Sequence, residues 1–515
     1  MTADNPPLFK GTAGSAVTSL IRWMTTGGIR PLLVFIAAHV VAWTVAISVS
    51  RLPGVLWDDM LETYSWGQHW QLGYYKHPPF YAWVAGAWFK VMPRTDWSFY
   101  LLSAVNAGVG FAGVWALATC FLQKGGRLLA VLPLAFMPSY NYLASNFNAN
   151  TILLSLWPWT TYAFVKSLET RSWRSSAAFG ALAAACMLSK YYSILLLATC
   201  LLAALAHPQA RRYFASPAPY IAVAVGALLL SPHLWWAFAN DWPPIKYALG
   251  KTGYAWASSF GKAAGTAFAG IAINLVPAAI LITALRRANP ELVAGAWRKL
   301  LLPERRWILI LATGPTIATI LLGTAGYVKV SIGFLIPAFF MLPMMIMLAV
   351  ETTITRSTVA GVARAVAMVF CAAVLAAPGV AAGSFYLRVK GTVDVSAIAA
   401  RDAATIWAQT FSAPLRIVGG SEKYSIAQPF YGPSSPAEFT HFALDQAPWI
   451  TPARIAREGM LSICDAADTG CAASADRTAH AGTRRFPVTI SKTFAGIKGP
   501  EVPLLYIMTP PTPED

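Results

Sequence analysis

Apolar runs close to twenty residues long recur over most of the chain, at roughly 31–49, 98–121, 128–144, 150–166, 174–189, 191–206, 217–237, 264–285, 307–325, 331–350 and 360–383. About twenty apolar residues wound as a helix cross the ~30 Å hydrocarbon layer of a bilayer. The pattern predicts an all-α polytopic membrane domain of about eleven transmembrane helices, within a range of about 10–13. Beyond residue 384 it changes in kind. Charges and prolines appear between short alternating runs such as Pro414–Gly420 and Phe486–Ile490, which read as strands, and 396–410 has helical spacing. Three parts are expected: an N-terminal segment 1–30, a membrane domain 31–383, and a small α/β domain 384–515 outside the membrane.

Composition sharpens this. The 515 residues are 56% hydrophobic and only 12% charged, about half the charged share of an ordinary soluble domain. Mean hydropathy is +0.52. A cytosolic enzyme is excluded on these grounds. The formal net charge of +17 suggests nucleic acid until its placement is examined. Lys124 and Arg127, then Lys166, Arg171 and Arg174, then Arg211 and Arg212, then Arg286, Arg287, Arg298, Lys299, Arg305 and Arg306 fall in alternate loops. That is the positive-inside pattern, with membrane lipid rather than nucleic acid as the partner. It predicts a cytoplasmic N-terminus. The loops at 50–97, 140–149 and 238–263, the turns near Lys190 and Lys329, and everything after 384 then lie outside. No cleavable signal peptide is evident, and the first run reads as a transmembrane helix. Cys464 and Cys471 lie in the polar C-terminal region, as a short-loop disulfide or as two free thiols.

Gly108-Val-Gly-Phe-Ala-Gly113 matches the dinucleotide-binding pattern G-x-G-x-x-G, but it sits inside an apolar span with no strand before it. Close packing of helices through small residues is the expected role.

The chemistry concentrates in the first external loop, WDDMLETYSWGQHWQLGYYKHPPFYAW from Trp57 to Trp83. Carboxylates beside a bilayer are costly to desolvate, so Asp58, Asp59 and Glu62 should face water, a cation or a substrate. A helix here would put Asp59 and Glu62 on one face, although Asp59 could equally cap that helix. Interfacial anchoring accounts for many of the tryptophans and tyrosines. It does not account for Lys76-His77 held against Pro78-Pro79.

These residues resemble a known family. Asp59-x-x-Glu62, Trp66-Gly67 and Gly73-Tyr74-Tyr75-Lys76-His77-Pro-Pro79 look like the first external loop of bacterial membrane glycosyltransferases of the GT-C fold. The likeness is to the branch with the protein O-mannosyltransferases and the lipid A aminoarabinose transferase. Phe147-Asn-Ala-Asn-Thr151, Leu188-Ser-Lys-Tyr191, Ser231-Pro-His-Leu-Trp-Trp236 and Asn240-Asp-Trp242 extend it. Met60 follows Asp59 where the aminoarabinose branch often has adjacent Asp-Glu, so sugar and acceptor stay open. The resemblance implies a polyprenyl-phosphate-linked sugar donor and an envelope acceptor, either a glycolipid such as lipid A or a protein. Transfer would take place at the periplasmic face of a bacterial inner membrane.

Within that frame, Asp59 is the expected general base, with Asp58 the alternative and Glu62 in support. Lys76 and Lys190 would meet the donor phosphate as point charges, with Lys246 and Lys329 as further lysines on the same side. Tyr74, Tyr75, His77, Asn148, Asn150, Tyr191, His233 and Asp241 are candidate donor or acceptor contacts. Each has a plainer role as interface anchor, turn former or structural hydrogen-bonder. Asp58, Asp59, Glu62, His77 and His233 could converge on a divalent ion, but no ligand spacing supports one, and no metal or other cofactor is expected. Two other functions compete: a transporter or flippase of lipid-linked sugars, and an envelope scaffold. A transporter should carry pseudo-symmetric halves and midplane charges, whereas the polar residues here gather at one membrane face.

Overall fold

The computed structural model describes residues 28–250, 256–288, 296–325, 331–350, 356–389 and 393–512. The N-terminal segment to residue 27 and the turn at Lys329 lie outside the described residues. Most expected apolar runs coincide with helices. They are α1 (Ile29–Ser50), α4 (Asp96–Phe121), α5 (Leu153–Thr170), α6 (Trp173–Ser189), α7 (Ile194–Ala206), α8 (Ala218–Ala239), α9 (Trp256–Ala288), α10 (Arg306–Thr324) and α11 (Arg356–Val389). Two more, α2 (Asp58–His69) and α3 (Phe80–Trp88), lie in the loop between α1 and α4.

The chain is a multi-pass membrane protein. Six helices among the described residues are long and apolar enough to cross a bilayer. A seventh span is possible if Lys124–Phe136 and Pro138–Ser145, bent by 87° at their junction, count as one. The other expected spans are helices that are shorter, more polar or broken. The run at 331–350, for example, holds only Ile332–Leu335 and Leu342–Val350 as helix. Such segments need not meet lipid along a full span when neighbouring helices cover them.

Helices in a membrane associate by close packing rather than by exclusion of water. The glycine pattern in α4 serves this end. A Cβ on Gly110 would lie 2.4 Å from the carbonyl oxygen of Leu154, so only glycine lets α4 and the start of α5 approach so closely. Beside it Phe111 stacks on Tyr140 at 4.9 Å.

The C-terminal unit is α/β. After α12 (Ser396–Thr410) come strands β1 (Ile417–Gly420), β2 (Ala437–Thr440), β3 (Met460–Asp465), β4 (Arg484–Ile490) and β5 (Val502–Thr509). Their order is β2-β1-β3-β5-β4, with β1 parallel to β2 and β3 and the rest antiparallel. Cys464 on β3 and Cys471 in the following helix form a disulfide.

This unit sits on the loop between α1 and α4. Phe430 packs edge-on against Tyr64 at 5.1 Å and Phe89 at 5.7 Å. Arg94 donates to the carbonyls of Pro429 (2.9 Å) and Gly432 (2.7 Å). The Tyr431 hydroxyl accepts from the Leu56 amide at 2.8 Å. One apolar core runs continuously from the membrane helices into Ile426, Ala427 and Phe430.

Candidate functional site

Helix α2 starts after an extended Trp57 that makes no side-chain cap. Asp58 and Asp59 fall in its first turn, where the helix dipole favours negative charge. The Asp59 carboxylate is directed across to the segment after the bent helix pair. Its Oδ2 accepts from Asn148 Nδ2 at 2.9 Å and from Asn146 Nδ2 at 3.3 Å. Asn148 is fixed in turn, since its Oδ1 accepts the backbone amides of Asn150 (2.8 Å) and Thr151 (3.2 Å). Asn150 Oδ1 accepts from Lys190 Nζ. Lys190 ends α6 in an extended conformation and lies 4.5 Å over the Phe334 ring. A hydrogen-bonded relay therefore joins Asp59 to Lys190 through Asn148 and Asn150.

One turn along α2, Glu62 Oε1 accepts from Lys76 Nζ at 2.7 Å. The same ammonium lies 3.5 Å from Glu422 of the C-terminal unit and 5.2 Å over the Tyr75 ring. Burial raises the Glu62 carboxyl to about 7, against the pull of Lys76 and with help from the like charges of Asp59 and Glu422. Burial also works against the charge on Lys76, but the Glu62 carboxylate outweighs it and keeps the ammonium protonated. Asp58 is exposed. Partial desolvation, then the like charges of Asp394, Glu422 and Asp59, raise its pKa.

The loop bearing Lys76 is pinned to α8. His233 Nδ1 contacts the Leu72 carbonyl at 2.7 Å, its Nε2 contacts the Tyr191 hydroxyl at 2.6 Å, and its ring stacks on Trp236. Gly73 is required here, because a Cβ would fall 2.1 Å from the Trp236 ring. Tyr74 is buried, stacks on Trp66 at 4.7 Å and donates to the Trp66 carbonyl at 2.6 Å. His77 sits edge-on to Tyr81 and Tyr247, each about 6 Å away.

The structure thus brings Asp59, Asn148, Asn150 and Lys190 into one network, and Glu62, Tyr75 and Lys76 into a second network on the same helix. Tyr74, Tyr191 and His233 support these networks through protein contacts. Asp241 stands apart on an exposed turn at φ 62°, its side chain 81% exposed and paired with Lys246. Three contributors were missed. The alternation Asn146, Asn148, Asn150 in the sequence was a signal for Asn146. Nothing local marked Glu422 or Glu438, which reach the loop only through the tertiary fold. Among the described residues, no three His, Cys, Asp or Glu side chains cluster to hold a metal ion.

The structure superposes on the crystal structure of ArnT from Cupriavidus metallidurans in the apo state with a TM-score of 0.58 and 14% identity, covering 92% of this chain and 97% of that one. Against ArnT from the same organism bound to undecaprenyl phosphate the TM-score is 0.56, with 13% identity and the same coverage. The chain has the ArnT-like GT-C fold. Residues 76–236 match the family described as dolichyl-phosphate-mannose-protein mannosyltransferase. No curated protein matches the chain by sequence. The fold that the resemblance implies is therefore borne out, and the family match begins at Lys76, inside the loop that carries the resemblance. On the GT-C fold, Lys76, Asn148, Asn150, Lys190 and His233 fall within the family-matched stretch, while Asp59 and Glu62 lie just before it.

Proposed function

We propose that the protein is a glycosyltransferase that moves a sugar from a polyprenyl-phosphate donor to an envelope acceptor, a lipopolysaccharide component, another lipid or a protein. The reaction takes place at the periplasmic face of a bacterial inner membrane, with the N-terminus cytoplasmic and the α/β unit periplasmic. The observation that carries this reading is the linkage of Asp59 to Lys190 through Asn148 and Asn150, beside the direct ion pair of Glu62 with Lys76. A nucleophile and a lipid-borne phosphate would meet at such a place. The fold is shared with a protein solved with undecaprenyl phosphate bound, and the Cys464–Cys471 disulfide suits an oxidising compartment.

The acceptor oxygen attacks the anomeric carbon as the carbon–oxygen bond to phosphate breaks. The electron pair leaves on the phosphate, and the acceptor proton passes to Asp59. A phosphate leaving group needs its growing charge stabilised more than it needs a proton, and Lys76 and Lys190 supply that stabilisation from fixed positions. Glu62 holds Lys76, and Asn148 orients Asp59. A single displacement inverts the anomeric configuration. The test uses purified protein in nanodiscs with undecaprenyl-phosphate-linked sugars and an envelope extract. Release of undecaprenyl phosphate that depends on the extract is expected, and no release from any donor sinks the proposal.

A further inference from the structure

Glu438 on β2 belongs to the C-terminal unit, yet it turns toward α2 and is only 4% exposed. Its Oε2 accepts from Ser65 Oγ and lies 3.5 Å from His69 Nε2. His69 is itself stacked on Trp449 at 4.0 Å. Glu438 Oε1 is buried with no hydrogen-bond partner among the described residues. A buried carboxylate oxygen left without a donor is costly, so such an atom calls for an explanation. Glu438 lines a cavity together with Glu62, Trp66, Tyr75, Thr440 and Gln446. The cavity has room for one small polar group and not for a ring.

We propose that this cavity is a one-group subsite for a hydroxyl or amine substituent of the donor sugar, with Glu438 Oε1 accepting its hydrogen bond. The inference rests on the glycosyltransferase reading. The cavity wall includes Glu62, the partner of Lys76, and the sugar of a glycosyl phosphate is joined directly to the phosphate that Lys76 would meet. A substituent of that sugar therefore lies within reach. An oxygen that only accepts selects for a donor group. The C-terminal unit then reads the sugar while the membrane domain handles the phosphate.

The test compares wild type, Glu438→Gln and Ser65→Ala in nanodiscs. Each receives bare undecaprenyl phosphate, undecaprenyl-phosphate-linked hexose or aminopentose, and acceptor extract. Melting temperature and steady-state kinetics are read. Glu438→Gln should raise the donor KM about tenfold and cut the thermal stabilisation given by the sugar-linked carrier. Stabilisation by bare undecaprenyl phosphate and the acceptor KM should stay at wild-type levels. Ser65→Ala loosens the domain contact but leaves Oε1 in place, so its donor KM should stay near wild type. Four outcomes overturn the subsite: unchanged constants in Glu438→Gln, an equal loss with the bare carrier, a shift confined to the acceptor KM, or the same donor effect from Ser65→Ala. If wild type turns over and one of these is seen, only the subsite falls. If wild type shows no turnover with any donor, the parent reading falls with it.

Discussion

Asp59 and Glu62 stand one turn apart on α2, yet their surroundings differ in kind. Asp59 is exposed and receives two neutral amides, from Asn146 and Asn148. Glu62 is half-buried, bonded to an ammonium and raised to about 7. Amide donors orient a carboxylate without neutralising it. A direct ion pair commits Glu62 to Lys76. In the proposed reaction this difference in surroundings is what splits two like residues on one helix face into a base and a holder.

The sharpest way to break this division is Asp59→Asn, which should lower kcat at least about 100-fold with little change in melting temperature. If Glu62→Gln costs more turnover than Asp59→Asn, the two roles are reversed. Next in size, Lys76→Ala and Lys190→Ala should each raise donor KM about 10-fold or more and steepen the need for donor. A donor KM unchanged in both variants would leave them as interface lysines. A smaller effect lies in pH. Below about 7 Glu62 takes up a proton and stops neutralising Lys76, so donor KM should rise severalfold from pH 6 to pH 8, and Glu62→Gln should flatten the profile. The same shift bears on stability. The folded carboxyl holds its proton to about 7 and the unfolded one only to its ordinary 4.5. This contribution is therefore full below pH 4.5 and is lost as pH rises to 7. Smallest of all, Glu422→Gln removes a competing carboxylate 3.5 Å from Lys76 and should lower donor KM about two- to threefold. A rise instead would show that Glu422 positions the lysine.

The membrane domain was legible because a bilayer imposes a period and a length on apolar residues. The helix at 396–410 was legible too, and appears as Ser396–Thr410. The sequence could not show which apolar runs would be broken, as at 331–350, where only Ile332–Leu335 and Leu342–Val350 are helical, since that depends on tertiary contacts rather than composition. In the site, Asp59 and Glu62 could be placed on one face because helical spacing is local. Glu422 and Glu438 could not, since they reach α2 from more than 340 residues away. His233 stood out as a polar residue in an apolar span, but both of its ring nitrogens are spent on Leu72 and Tyr191.

That histidine has a mechanical consequence. Leu72 leads into the segment of Lys76, and Tyr191 follows Lys190 directly, so one imidazole couples the backbones that carry both cations. The two lysine-bearing segments are thus strapped together by protein alone, with no ligand needed to hold them in register.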